Sequence, residues 1–254
     1  MNLPNHIVIM PDGNRRWARK KGLPPFFGHR QGAKTLEKIL KAVLELKIPY
    51  FTFWGTSLDN VTKRSSSEVN FLFKLFEQHF KKLARSKEVH QNKIKINVIG
   101  RWRELFPESV KRVMEEAILK TKDYKNYQLT FLMAYSGIDE MTSAIQRIAK
   151  IKNQFFDKLR INPEQSRVGQ KSKFKIDEKL IKNNLWTKDL PAVDLVIRTG
   201  SEQDNWSHLS SGVMMWDVAD AQIYFTKTLY PDFSVAEFKK AVEQYSQTER
   251  RMGK

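Results

Sequence analysis

HIVIMPDGNRRWA, residues His6–Ala18, is the stretch that decides the fold. His6 to Met10 run apolar without alternation, as in a strand buried on both faces. Pro11-Asp12-Gly13-Asn14 then breaks the strand with turn chemistry and a left-handed option at Gly13 and Asn14. Arg15, Arg16 and Trp17 follow at a helix start. A buried strand leaving into a glycine turn and a cationic helix start is how a parallel α/β sheet begins, and in such sheets ligands bind beyond the carboxyl ends of the strands.

The alternation continues outward. Ala33, Leu36, Ile39, Leu40, Val43 and Leu44 recur at helical spacing between Gln31 and Leu46, and Tyr50–Gly55 reads as a second buried strand. A polar stretch, Ser57–Ser67, precedes a helix over Glu68–Leu83 with bulky apolar positions from Val69 to Phe80. Strands are expected over Lys95–Gly100, Tyr127–Tyr135, Ala192–Ile197 and Ile223–Phe225, with helices over Ser109–Thr121, Asp139–Lys152 and Ser234–Arg251. The expectation is one α/β domain over residues 1–254, in three layers, with a central, mostly parallel sheet of about six strands flanked by helices. Residues 153–180, polar and lysine-rich with Pro163 and Gly169, read as a long connection with one helical piece, where flexibility is expected.

Composition narrows the function. The 254 residues contain no cysteine, which excludes disulfides and thiolate metal sites and fits a reducing cytosol. Met1–His6 lacks the basic and apolar regions of a signal peptide, and no apolar run approaches a membrane span, so a soluble, cytoplasmic protein is expected. A net charge of +17 fits nucleic acid, an anionic membrane surface or anionic small substrates. Lysines spread through every amphipathic segment yield the same number with no partner, so charge alone decides nothing.

Three polar strand exits, 11–17, 56–64 and 198–211, should converge in space. In the first, Gly13 lets the backbone approach a ligand, while Arg15 and Arg16 offer charge-assisted hydrogen bonds to phosphate and Asp12 suits a hard cation such as Mg²⁺. The same residues also make a tight turn with a solvated helix start. The second carries Ser57, Leu58, Asp59 and Asn60, then Lys63, Arg64 and Glu68; it could hold a polar leaving group or serve as a helix cap. In the third, Arg198 follows a buried strand, and a charge at a core boundary calls for an anionic partner. The phosphate loop Gly-x-x-x-x-Gly-Lys-Ser/Thr, Gly-x-Gly-x-x-Gly, His-Glu-x-x-His and Asp-Asp-x-x-Asp are all missing.

In order along nearly the whole chain, these blocks resemble the cis-prenyltransferases, the undecaprenyl diphosphate synthase family. Met10, Asp12-Gly13-Asn14, Arg16 and Trp17 are similar to its opening signature. Gly28-His29 and Gly32, then Ser57, Asn60, Arg64 and Glu68-Val69, then Ala134-Tyr135-Ser136-Gly137 resemble the next three blocks. Asp194–Gly200 with Trp216 resembles the fifth, and Arg250–Gly253 the C-terminal ending. The resemblance implies a magnesium-dependent enzyme that adds isopentenyl diphosphate to an allylic prenyl diphosphate, such as farnesyl diphosphate, with cis double-bond formation, making a polyprenyl carrier-lipid precursor.

It further implies roles for residues. Asp12 would bind Mg²⁺ and assist diphosphate departure. Gly13, Asn14, Arg15, Arg16 and Trp17 would hold the allylic diphosphate, with His29 nearby. Asn60 would assist proton removal beside Ser57, Leu58, Asp59 and Arg64. Arg198, with Ser211 or Ser210, would bind isopentenyl diphosphate, and the hydrocarbon would grow into a tunnel walled by the 69–80 face. A homodimer is implied, with product delivered to a membrane that the protein meets peripherally, and no nucleic-acid partner.

The sequence departs from the family pattern at Pro25, Val61, Ile138 and Thr248, and most of all after Arg198. There, Gln203–Ser207 is an insertion, Leu209 stands at a family arginine with His208 as its substitute, and Gln222 stands at a magnesium-binding glutamate. Two alternatives stay open: a short-product or atypical prenyl coupling enzyme, and a noncatalytic subunit. His79 and His90 read as solvated, Trp102 and Trp186 as packing, and Met214-Met215 as core.

Overall fold

A computed structural model describes residues 2–161, 174–201 and 208–248. Six strands form one sheet, β1 (His6–Met10), β2 (Tyr50–Trp54), β3 (Ile94–Ile99), β4 (Tyr127–Leu132), β5 (Leu195–Arg198) and β6 (Gln222–Phe225). Their order is β3-β4-β2-β1-β5-β6, and every neighbouring pair is parallel. β1 is fully buried because both its faces are covered, and each Ile or Val hidden there contributes roughly 1.5–3 kcal/mol.

The helices are α1 (Asn14–Lys20), α2 (Pro25–Glu45), α3 (Leu58–Thr62), α4 (Ser66–Leu83), α5 (Lys87–Gln91), α6 (Trp102–Leu105), α7 (Glu108–Thr121), α8 (Gly137–Ile161), α9 (Glu178–Asn184) and α10 (Val235–Gln247). Ile7, Ile9 and Phe131 on one sheet face join a core with Ile39 and Val43 of α2, Phe80 of α4, Met114 of α7 and Phe238 of α10. On the other face Val8, Met10, Leu132 and Val196 pack with Leu190, Val193, Val213 and Met214. That second layer is a turn-rich segment beside α8 and α9 rather than a plain row of helices.

Several expectations are corrected here. α8 runs nine residues into the expected 153–180 connection; the stretch 162–173, with Pro163 and Gly169, lies outside the described residues, as do Gln203–Ser207 and Arg250–Gly253. α2 begins at Pro25, a residue suited to a first helical position, six residues before the apolar periodicity begins. Trp102 and Trp186 are packing residues, and Met214 is buried, but Met215 is exposed. His90 is not solvated: its Nδ1 meets the Tyr124 hydroxyl at 2.9 Å and its Nε2 the Ala84 carbonyl at 3.1 Å.

Candidate active site

The three exits converge. One hollow of about 700 Å³ is lined at its mouth by Asp12, Asn14, His29, Asn60, Arg198 and Ser211, drawn from after β1, β2 and β5 and from α2. β1 lies between β2 and β5, so the turn that follows it faces ligand from the middle of the sheet.

Gly13 takes φ 105°, the left-handed geometry expected of it, and starts α1. A Cβ at Gly28 would stand 2.0 Å from the Asn14 carbonyl oxygen, so α2 crosses against α1 only with glycine there. Asp12 Oδ2 is 3.3 Å from Arg16 Nη2 and 3.3 Å from Arg198 Nη2. Arg16 also donates to the Gly200 carbonyl at 2.6 Å, tying the first exit to the third. Arg198 is thus the core-boundary charge with an anionic partner, yet its Nε and Nη1 are buried without hydrogen-bond partners, as are Asn14 Oδ1 and Ser201 Oγ. Buried donors without partners await a ligand's acceptors.

Beside this, Glu68 gathers cations. Arg64 Nη1 donates to its Oε1 at 2.7 Å, His29 Nε2 lies 3.1 Å from the same oxygen, and Arg15 Nε is 3.8 Å from Oε2. The His29 hydrogen bond, with Arg64 and Arg15, holds the Glu68 carboxyl below its usual range despite burial. Burial lowers the Arg64 guanidinium, with Glu68 opposing. Arg64 is the inward cation; Lys63 pairs with Asp59 at 2.9 Å on the surface. Glu68, part of the second exit, is also the N3 residue of α4, its amide donating to the Ser65 hydroxyl that caps the helix.

Ser57 is a helix cap that also faces the hollow. Its hydroxyl accepts the Asn60 amide at 3.1 Å as the cap of α3, and it lines the hollow with Asn60 and Asp59. Gly13, Arg15, Arg16, Trp17, Leu58 and His208 are off the hollow's wall. Arg16 pairs with Asp12 on that wall, and Arg15 pairs with Glu68, which binds the wall residues His29 and Arg64 from behind. His208 is exposed, 3.3 Å from the Ser210 hydroxyl, which does line the hollow with Ser211. Gln222 is a correction: it pairs with Leu195 at the start of β6, three positions and roughly 10 Å before the level of Arg198, so it cannot share an ion with Asp12 of its own chain.

Behind the mouth the hollow becomes an apolar tunnel between the sheet and α2 and α4. Leu36, Leu40, Leu72, Leu75, Phe76 and Phe131 are among its walls, and it ends near Ile94, Tyr127 and Gln128. Its walls follow β2 from Thr56 back to Pro49, roughly 20 Å of strand. His79 corrects the solvated reading: it is half-buried in the tunnel wall, 3.8 Å from Glu37, and burial lowers its imidazole. Among the described residues no cluster of three His, Cys, Asp or Glu could cage a metal; the Asp12 carboxylate at the mouth is of the kind that suits a hard cation completed by ligand oxygens.

A mouth where Arg198 and Arg64 meet Asp12, backed by a long apolar tunnel over a parallel sheet, defines an α/β protein that takes an anionic head and a hydrocarbon tail. The chain belongs to the undecaprenyl diphosphate synthase family, the cis-prenyltransferases, matching the family described as "Putative undecaprenyl diphosphate synthase" over residues 9–253. It is 38% identical over 252 residues to a tritrans,polycis-undecaprenyl-diphosphate synthase (geranylgeranyl-diphosphate specific) of Pyrococcus horikoshii, covering 99% of this chain and 88% of that one. It is 36% identical to a ditrans,polycis-undecaprenyl-diphosphate synthase ((2E,6E)-farnesyl-diphosphate specific) of Coxiella burnetii, covering 99% and 96%. Among solved structures, lavandulyl diphosphate synthase from Lavandula x intermedia in complex with dimethylallyl diphosphate superposes with a TM-score of 0.78 at 27% identity, covering 99% of both chains.

Proposed function

We propose that this chain elongates an allylic prenyl diphosphate with isopentenyl diphosphate, forming cis double bonds and a polyprenyl diphosphate. The observation that carries the reading is the single hollow joining Asp12 and Arg198 to a tunnel of roughly 20 Å. In this reading Asn14, His29, Arg15 and Arg16 receive the allylic diphosphate, whose tail enters the tunnel. Arg198, Ser210 and Ser211 receive isopentenyl diphosphate. The allylic C–O bond breaks and the isopentenyl double bond attacks the freed carbon. The cation left on the isopentenyl unit then loses a proton from the carbon beside its diphosphate-bearing carbon, which closes the new cis double bond, with Asn60 orienting the acceptor. Cations already in place stabilise the departing diphosphate without reorganising, which is their main catalytic value. Asp12 would hold Mg²⁺ together with diphosphate oxygens, and the ion would neutralise leaving-group charge.

The decisive assay supplies radiolabelled isopentenyl diphosphate, Mg²⁺ and farnesyl or geranylgeranyl diphosphate. Labelled product extracting into butanol is expected, falling at least roughly 100-fold in folded Asp12→Ala. No extractable product from the purified wild type sinks the elongase reading and leaves the noncatalytic-subunit alternative. The exposed position of His208 favours a second reading, a short-product coupling enzyme, which mass spectrometry of the product separates from the first. A homodimer is part of the proposal: edge strand β6 exposes Ile223 and Phe225, and α8 exposes Ile138 and Ile145. Sedimentation should give twice 29.8 kDa.

A further inference from the structure

Tyr135 is fully buried and contributes nothing to the wall of the hollow, yet two of the three exits hang on it. Its amide donates to the Thr56 carbonyl at 3.2 Å and its carbonyl accepts the Leu58 amide at 3.1 Å, which fixes the backbone on either side of Ser57. On its other side, the Tyr135 hydroxyl accepts the Met214 amide at 3.0 Å and donates to Glu140 Oε2. Glu140 is itself buried, and its Oε1 accepts the Thr187 amide at 2.8 Å. A phenol has one hydrogen; committing it to Glu140 turns the lone pairs towards Met214. Burial and the adjacent carboxylate push the phenol well above its usual range, so it stays a donor.

The segment so held has little conformational preference of its own. Ser211 and Met214 have φ of 53° and 43°, both disfavoured for residues bearing a Cβ. A second contact also constrains it: a Cβ on Gly137, the first residue of α8, would stand 1.7 Å from the Gly212 carbonyl oxygen. Backbone strain of this kind persists only where surroundings over-determine it.

We infer that Tyr135 and Glu140, with Gly137, are positioning residues for isopentenyl diphosphate: they hold Ser210 and Ser211 against Arg198 by pinning Met214 and Gly212. The inference rests on the proposed role of Ser210 and Ser211 and adds a cause for their placement. It assigns the Ala134–Gly137 block a task, since none of its side chains lines the hollow.

Tyr135→Phe removes the lone pairs and Gly137→Ala pushes Gly212 away. Alanine is a better helix former than glycine, so the second variant keeps α8 should the first fail to fold. Three quantities are read: equilibrium binding of isopentenyl diphosphate, the KM of each substrate, and hydrogen exchange over residues 208–216. Tyr135→Phe loses the hydroxyl's bonds to Met214 and Glu140 and Gly137→Ala displaces the Gly212 carbonyl, so each variant should weaken isopentenyl diphosphate about tenfold and leave the allylic KM within about twofold. Exchange at Met214 should rise about tenfold or more, while α2 and α4 keep their protection. Unchanged affinity and exchange in folded variants, or equal losses for both substrates, overturns the inference. If wild type binds isopentenyl diphosphate, the variants lose that binding, and nothing is elongated, the proposed reaction fails while the positioning role stands.

Discussion

Arg198 combines burial with unused donors, since Asp12 engages Nη2 and leaves Nε and Nη1 unpartnered. Lysine would keep the charge and lose the planar fork. Arg198→Lys should therefore raise the KM for isopentenyl diphosphate by roughly 10–100-fold, with a smaller effect on the allylic KM. Initial-rate kinetics with each substrate varied in turn will check it. Glu68 poses the complementary case, a nearly buried carboxylate that serves Arg64, His29 and Arg15 together. Glu68→Gln leaves Arg64 without its counter-ion and should cost roughly 1–3 kcal/mol in denaturant unfolding at pH 7. Because the folded Glu68 carboxyl sits below its ordinary 4.5, its contribution is present above that pH and lost as pH falls through the folded value. The difference between variant and wild type should shrink accordingly in acid.

β1 opens on a buried, hydrogen-bonded histidine. His6 Nδ1 lies 2.9 Å from the Pro191 carbonyl and Nε2 2.8 Å from the Thr52 hydroxyl, stitching β1 to β2 and the approach to β5. Burial lowers this imidazole from 6.5 to about 4. The folded state refuses a proton that the unfolded chain takes, so stability present above pH 6.5 is lost as pH falls towards 4, by about 3 kcal/mol. His6→Gln should flatten that part of the pH–stability curve measured by urea unfolding. The α4 face makes a different prediction: Leu75→Trp would fill tunnel volume and shorten the product, read by mass spectrometry. Strands and exits were legible because burial on both faces leaves unbroken apolar runs that polar turns punctuate. Helix α8 beyond Lys152 was not, since exposed polar residues Asn153, Gln154 and Asp157 run straight on into a lysine-rich stretch with Pro163 and Gly169. His79 follows Leu75 and Phe76 at helical spacing, so periodicity placed it on the tunnel wall; only its polarity argued for solvent. Counting from Trp216 brought Gln222 into line with a ligand position, but a count along the chain does not say which end of β6 it occupies.

At the scale of the whole molecule, the sheet order puts the cationic mouth around the C-terminal end of β1 and runs the tunnel back along β2 beneath α2 and α4. A tail lodged there is removed from water, and each five-carbon unit added raises the cost of releasing it into water by roughly 4 kcal/mol. Chemistry gains nothing from this and release loses steeply, so product departure should limit steady turnover in plain buffer. Detergent micelles or lipid vesicles, which offer the tail an apolar destination, should raise multiple-turnover rates while leaving single-turnover rates unchanged. The net charge of +17 adds a second expectation, that anionic vesicles outperform neutral ones at low salt. That advantage should vanish at about 0.5 M salt, where charges are screened within a few ångströms. Equal stimulation by both vesicle types at low salt would detach the charge from any membrane role. Turnover indifferent to every amphiphile would mean the product is not held in the tunnel at all.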